Sequence, residues 1–307
     1  MHNSSVYHRV KNYSDSSQFG IWIVILAMLL FPSLDVLAKL LAKTLSPVQI
    51  SFLRVLCQAL FFVVVMRKLP RLNYPIKLTL NLILCAIFMN TGIILMVWGL
   101  MYLPVANAIA LFFVEPLLLM LLSSIILKEK SSPIRYLLAF IGLVGAMIVI
   151  RPNWQLYGWP AILPIGCALC FAIYLLIVRS TRSQVSTTQA QAYISLAGTV
   201  ILGLVLLVGK SFDIPVLNWN KVVPADYSLI LMLGFFATLT HWLMGKALTL
   251  NQANIVAPFR YLEIISATAL GYLIFNDIPD LLTWIGTGII LSSGLLLMRL
   301  EKQEKQQ

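Results

Sequence analysis

The chain has 307 residues, 60% of them hydrophobic and only 11% charged, with a mean hydropathy of +0.91. An average soluble domain is roughly 45–50% apolar and about 25% charged, so a single soluble core of this size would not hide so much apolar surface, whereas a bilayer solvates it directly. The formal net charge of +11 does not indicate nucleic acid, because the basic residues sit in short stretches between apolar runs, as topology signals do, with no basic helix and no aromatic platform in a polar setting.

Residues 1–18 are polar and mixed, and are expected to form a cytoplasmic tail. The first apolar run starts near Phe19 and exceeds twenty residues; it is too long for a signal-peptide core and lacks a small-residue cleavage site, so it should remain as a span. A helix needs about 20 mostly apolar residues to cross the hydrocarbon. That length predicts spans at 19–41, 48–66, 78–102, 104–127, 134–151, 157–178, 187–208, 227–249, 252–275 and 281–299. Pro47, Pro70, Pro75, Pro104, Pro133, Pro152, Pro215, Pro224 and Pro279 fall at or between span ends, as helix breakers should. The link at Leu103-Pro104 is so short that spans 3 and 4 must be antiparallel neighbours. Cys57, Cys85, Cys167 and Cys170 all lie inside apolar runs and read as small packing residues.

Charge sets the orientation. With the N-terminus inside, the cytoplasmic segments hold fourteen cations: Arg9, Lys11, Arg67, Lys68, Arg71, Lys77, Lys128, Lys130, Arg135, Arg179, Arg182, Arg299, Lys302 and Lys305. The opposite side holds four: Lys43, Arg151, Lys210 and Lys221. Positive loops stay inside, which predicts an all-α membrane protein of ten transmembrane helices with both termini cytoplasmic. Five spans per half turn a duplicated unit upside down, the inverted-repeat plan with a solute site between the halves. Traces of duplication are present. Ala106-Asn107 and Phe112 match Ala253-Asn254 and Phe259 at an offset of 147, which also aligns Glu129 with Asn276. Lys39, Ser46 and Gln49 match Arg179, Ser186 and Gln189 at an offset of 140. The expected division is a tail over 1–18, a first repeat over 19–152, a second over 153–300 and a tail over 301–307.

A charge at the centre of a membrane helix costs about 2.5–3.5 kcal/mol on insertion scales, so intramembrane polar residues are site candidates. Span 1 carries Asp35 and Lys39, four apart on one face; they either neutralise each other or serve a solute or proton. Span 2 carries Arg54 and Gln58, span 4 Asn107 and Glu115, span 8 His241 and Lys246, and span 9 Asn254, Arg260 and Glu263. Arg54 and Lys246 have the alternative of snorkelling to an interface, and Arg260 and Glu263 that of pairing within one helix. Glu115 and Glu263, deep in their spans, should line a cavity. Counted within spans, Asp35, Glu115 and Glu263 face Lys39, Arg54, Lys246 and Arg260, a balance of both signs that suits a zwitterion or mixed-charge compound. Trp98, Tyr102, Trp242 and Tyr261 either stack on a solute or pack against helices and lipid. Pro32, Pro116 and Pro258 lie inside spans and predict kinks with loosened carbonyls.

These features resemble the EamA family of the drug/metabolite transporter superfamily over about residues 19–300. The stretch Ala257-Pro258-Phe259-Arg260-Tyr261-Leu262-Glu263, followed by Gly271-Tyr272-Leu273-Ile274-Phe275-Asn276-Asp277 and Pro279-Asp280, is similar to the branch that holds S-adenosylmethionine uptake transporters of intracellular bacteria. So are the Asp35…Lys39 pair and Phe52-Leu53-Arg54. Where the family often closes its ninth helix with an acid, this chain has Asn276 followed by Asp277, so the acid's role would fall to Asp277.

The resemblance implies a secondary transporter of the cell inner membrane, working by alternating access on a small organic solute such as S-adenosylmethionine or an amino-acid-like compound. Arg54 or Arg260 would take a carboxylate, and Glu115, Glu263 or Asp35 would face a cation. A coupling proton, carried by a buried carboxylate or His241, or a counter-substrate is the expected co-partner, with the bilayer as surroundings. Export of amino acids or other metabolites is the alternative direction. A membrane-embedded enzyme is more distant: there is no H-E-x-x-H and no G-x-S-x-G, and Gly209-Lys210-Ser211 lacks the glycine of a P-loop, having Leu204 in its place. Buried charges in five spans speak against a plain scaffold subunit. No cofactor and no metal site is expected.

Overall fold

The computed structural model describes residues 3–66, 74–126, 133–150, 158–181, 184–209, 214–250, 259–260 and 262–304, and every regular element among them is helical. In chain order these are α1 (Asn3–Leu41), α2 (Pro47–Met66), α3 (Ile76–Leu100), α4 (Val105–Phe112), α5 (Glu115–Ile126), α6 (Pro133–Ile150), α7 (Ile162–Thr181), α8 (Thr187–Gly209), α9 (Pro224–Leu250), α10 (Leu262–Phe275) and α11 (Leu281–Glu304). Seven stretches are long and apolar enough to cross a bilayer: Phe19–Leu41, Pro47–Val64, Ile76–Leu100, Val105–Ile126, Trp159–Val178, Thr188–Gly209 and Pro224–Met244. Three shorter apolar helices, Tyr136–Ile148, Leu262–Phe275 and Leu281–Leu296, stand where the sequence predicts spans 5, 9 and 10.

Burial is reversed relative to a soluble protein. Phe19, Trp22, Leu60, Val64, Leu207 and Leu273 are exposed, whereas Gln49, Arg54, Gln58, Asn90, Glu115 and Thr240 are buried. In hydrocarbon this is the stable arrangement, since lipid accepts the apolar side chains and the protein interior must satisfy the polar ones. Within the N-terminal segment α1 already starts at Asn3, well before the apolar run. No Gly or Pro falls between Asn3 and Gln18, so a helix nucleated in the span has nothing to stop it there.

The helices pack in a pattern that survives exchange of the two halves. α1 runs along α9, and α3 runs along α7. α2 touches α9, and α8 touches α3. α1 packs on α10, and α7 packs on α4 and α5. The pairs α2–α8, α6–α11 and α4–α10 each join one member of each half. Helix entry follows the same rule. The Ser46 hydroxyl accepts from the Gln49 N–H at the start of α2, and the Ser186 hydroxyl accepts from the Gln189 N–H at the start of α8, both as N-caps. Gln49 then holds the segment before α9: its amide nitrogen donates to the Asn220 carbonyl and its oxygen accepts from the Asn220 N–H, each at 2.9 Å. Gln189 holds the segment before α3, accepting from the Tyr74 hydroxyl at 3.2 Å.

Small residues permit the closest contacts, as expected where lipid removes any hydrophobic drive between helices. A Cβ on Gly145 of α6 would sit 2.9 Å from the Gly286 carbonyl oxygen of α11 and 3.0 Å from both Ile289 and Ile290. The obstacle includes backbone, so it cannot rotate away. Gly145→Ile should overpack the α6–α11 contact by about 1–3 kcal/mol and lower the unfolding temperature by several degrees. Gly288→Ala, where a Cβ meets nothing within 4 Å, should leave it unchanged. Thermal unfolding in detergent, followed by a thiol-reactive dye on Cys57, Cys85, Cys167 and Cys170, checks both.

Candidate functional site

Two helices start in the middle of the predicted spans, and each start carries a carboxylate. Pro116 has no N–H to donate to the preceding turn. The predicted fourth span is interrupted at Phe113 and Val114, and α5 begins on Glu115. On the other side, Phe259 and Arg260 form a 3₁₀ turn and α10 places Glu263 in its first turn. Glu115 and Glu263 are only 1% and 7% exposed, and neither Glu115 carboxylate oxygen accepts a hydrogen bond, so the Glu115 charge has to be met by a cation. Arg260 Nη1 lies 3.2 Å from Glu115 Oε2, an ion pair joining the two half-helix starts, and is also within Coulombic range of Glu263. The sequence offered Arg260 to Glu263 alone; the structure shares it with Glu115.

The opposite wall comes from α1, α2 and α9. Asp35, half-buried, is in Coulombic range of the buried Arg54 and of Glu263. Cys167 of α7 feels Asp35, Arg54 and Glu115 together, which places the two walls around one centre. Snorkelling is thereby ruled out for Arg54, which is 8% exposed. One turn along α2, Gln58 donates from Nε2 to the Ala237 carbonyl at 3.2 Å. His241 Nδ1 is 2.7 Å from the same carbonyl; since a carbonyl only accepts, Nδ1 carries the proton in this geometry. Nδ1 also lies 3.2 Å from Gln58 Nε2, and the ring lies 5.6 Å from that of Phe31.

Lys39 is engaged elsewhere. Its ammonium donates to Asp277 Oδ2 at 3.0 Å and to the Leu103 carbonyl at 2.9 Å, and lies 4.7 Å from the centre of the Phe275 ring. The partner of Lys39 is thus Asp277 rather than Asp35, which corrects the local-pairing alternative. The cause is the end of α10. Asn276 takes φ 57°, a left-handed conformation that Asn tolerates well, and its N–H closes on the Tyr272 carbonyl at 2.9 Å. That cap turns the chain so that Asp277 meets α1.

The remaining candidates disperse. Trp98 stacks edge-on against Trp159 with centroids 5.1 Å apart, and Tyr102 lies 6.0 Å from the same ring. Trp242 is 46% exposed and Lys246 is also exposed, as outward-facing groups. Asn107 is buried in α4. Pro32 lies inside an uninterrupted α1. Tyr261, Asn254, Pro258 and Glu129 lie outside the described residues. Gln58 is the residue that the charge criterion passed over: being neutral, it stood out only by sharing a helical face with Arg54.

Two copies of the EamA-like transporter family pattern match this chain, over residues 18–151 and 158–299. Among curated relatives, it is 26% identical to the S-adenosylmethionine uptake transporter of Rickettsia bellii, with 96% of this chain and 97% of that one covered. It is 28% identical to the riboflavin transporter of Vibrio cholerae, with 70% of each covered. It is 25% identical to the pseudopaline exporter of Pseudomonas aeruginosa, with 94% and 99% covered. A crystal structure with 18% identity superposes with a TM-score of 0.62, covering 92% of this chain and 98% of that one, so the fold is shared. These relatives are transporters and not enzymes. The protein is multi-pass, resides in the inner membrane, and acts in the transport of a small metabolite. With both matches together spanning nearly the whole sequence, the chain belongs to the EamA-like transporter family.

Proposed function

We propose that this protein is a secondary transporter for a mixed-charge organic metabolite of net positive charge, S-adenosylmethionine or an amino-acid-like compound, working by alternating access. The observation that carries this is the charge balance of the interior. With Lys39 bound to Asp277 and Lys246 exposed, the described centre holds three carboxylates, Asp35, Glu115 and Glu263, against two guanidinium groups, Arg54 and Arg260. The linear count over the spans leaned the other way because it included both lysines. A site with surplus carboxylate and a buried arginine complements a solute with two cationic groups and one carboxylate. S-adenosylmethionine, with its sulfonium, ammonium and carboxylate, has that charge pattern, and the name of the Rickettsia relative agrees. Arg54 or Arg260 takes the carboxylate, and Glu115, Glu263 or Asp35 faces the cations.

Ten spans as two inverted repeats, over 19–152 and 153–300 with both termini cytoplasmic, are supported by three facts. Helix packing is preserved when the halves are exchanged. Ser46–Gln49 and Ser186–Gln189 make equivalent caps and equivalent ties to the other half. Cations concentrate on one side of the predicted membrane. In this topology, Lys39–Asp277 and Gln49–Asn220 lie on the outer side, where they close the bundle between the halves. Opening outward then requires breaking both, and the solute reaches Glu115 and Glu263 from one face at a time.

Uptake of labelled S-adenosylmethionine by a bacterium unable to import it, with the protein against empty vector, tests the substrate. Uptake above vector that falls at least about tenfold in Arg54→Ala and Glu263→Gln is the expected result; no uptake from protein folded in the membrane would remove this substrate and turn the assay to export. The closure is tested by charge reversal. Lys39→Asp and Asp277→Lys should each lower transport about tenfold, and the double exchange should recover most of it; a double variant no better than the singles would sink the gate.

A further inference from the structure

We propose that the wall formed by α1, α2 and α9 is a seat for a zwitterionic α-amino-acid head group, and that Gln58 determines its specificity; this rests on the transporter reading above and names the part of the solute recognised there. Arg54 Nε and Gln58 Oε1 are both buried with no hydrogen-bond partner. They are four residues apart on α2, hence on one face, and Gln58 as a whole is 1% exposed. The amide orientation of Gln58 is set by its other end. Nε2 donates to the Ala237 carbonyl at 3.2 Å, and in this orientation the oxygen is the end without a partner. His241 does not compete for this role, because its Nδ1 is committed to Ala237.

The unused groups are one cationic donor and one neutral acceptor, with the Asp35 carboxylate in Coulombic range of Arg54. An α-amino acid presents a carboxylate and an ammonium on adjacent atoms. The carboxylate is placed on Arg54 and the ammonium between Gln58 Oε1 and Asp35, two charge-assisted contacts where none is now made. The rest of the solute extends toward Glu115 and Glu263, whose carboxylates face any second cation. Both orphan atoms are sealed from solvent here, so the seat fills only when the halves part. Leaving them unpaired disfavours the empty closed state, and a solute that fills the seat removes this penalty. Closure is then conditional on the correct head group.

Equilibrium binding to the purified full chain, by ligand-induced thermal stabilisation, tests this with S-adenosylmethionine, S-adenosylhomocysteine, 5′-methylthioadenosine, methionine and riboflavin. S-adenosylhomocysteine keeps the head group without the sulfonium, and methylthioadenosine keeps the adenosine without the head group. The expected result is that S-adenosylhomocysteine binds at least about tenfold more tightly than methylthioadenosine, the weight of a charge-assisted hydrogen bond. Gln58→Leu should narrow that difference severalfold, with Arg54 and Asp35 still in place. Gln58→Glu should keep it, because the acceptor remains although the donor to Ala237 is lost; a merely structural Gln58 would fail alike in both variants. Equal binding of methylthioadenosine and S-adenosylhomocysteine to the unmodified chain, or equal losses in Gln58→Leu and Gln58→Glu, would overturn the seat while S-adenosylmethionine binding left the transport reading in place. Methionine binding with the same Gln58 dependence, and no S-adenosylmethionine binding, would uphold the seat and remove that substrate. Binding of riboflavin alone, or of no compound, would overturn both.

Discussion

Charge that cannot reach water governs this molecule. A carboxylate or guanidinium at the centre of a bilayer costs several kcal/mol unless something of opposite sign meets it, and such groups occur on α1, α2, α5 and α10, with Arg260 just before α10. No single helix satisfies its own. Glu115 needs Arg260, which lies 145 positions further along the chain, and Asp35 has Arg54 across a helix boundary. Satisfying these demands draws the two halves around one centre. The apolar side chains need only hydrocarbon and are content at the periphery. The fold is therefore built outward from its least comfortable residues.

The same logic explains why two helices start where they do. A continuous helix has no free N–H groups at mid-membrane, and a carboxylate there would rely on side chains alone. Breaking the predicted fourth span at Phe113 and Val114, and entering α10 through a 3₁₀ turn at Phe259 and Arg260, creates two helix starts beside the centre. At these starts Glu115 is met by Arg260, and Glu263 lies in the first turn of α10. The break at Phe113 and Val114 is tolerated because both residues are buried and α4 and α5 pack on α6 and α7.

The Lys39–Asp277 pair depends on a local backbone feature: Asn276 adopts the left-handed turn, and the next residue, Asp277, meets Lys39. The amide tie of Gln49 to Asn220 acts on the same side of the bundle. Neither contact shields the central charges directly. Each joins a helix early in the chain to a segment late in it.

The sequence by itself determined that this is a helical membrane protein, where its apolar segments lie and which polar residues they carry. Hydropathy is a local property summed over about 20 residues, and the cost of a buried charge can be read from a single position. Only the tertiary structure decided who pairs with whom. Lys39 had Asp35 one turn away and chose Asp277, 238 positions distant; Arg260 had Glu263 beside it and reached Glu115. Those choices depend on how each helix is rotated about its axis. In a soluble protein the polar face of a helix reports that rotation. Here lipid and protein interior are both apolar, the helices lack a strongly polar outer face, and the rotation is settled by small residues such as Gly145 and Gly198 allowing close approach. For that reason Gln58, noted in the sequence only as a polar neighbour of Arg54, gained a distinct role once its oxygen was seen buried with no partner.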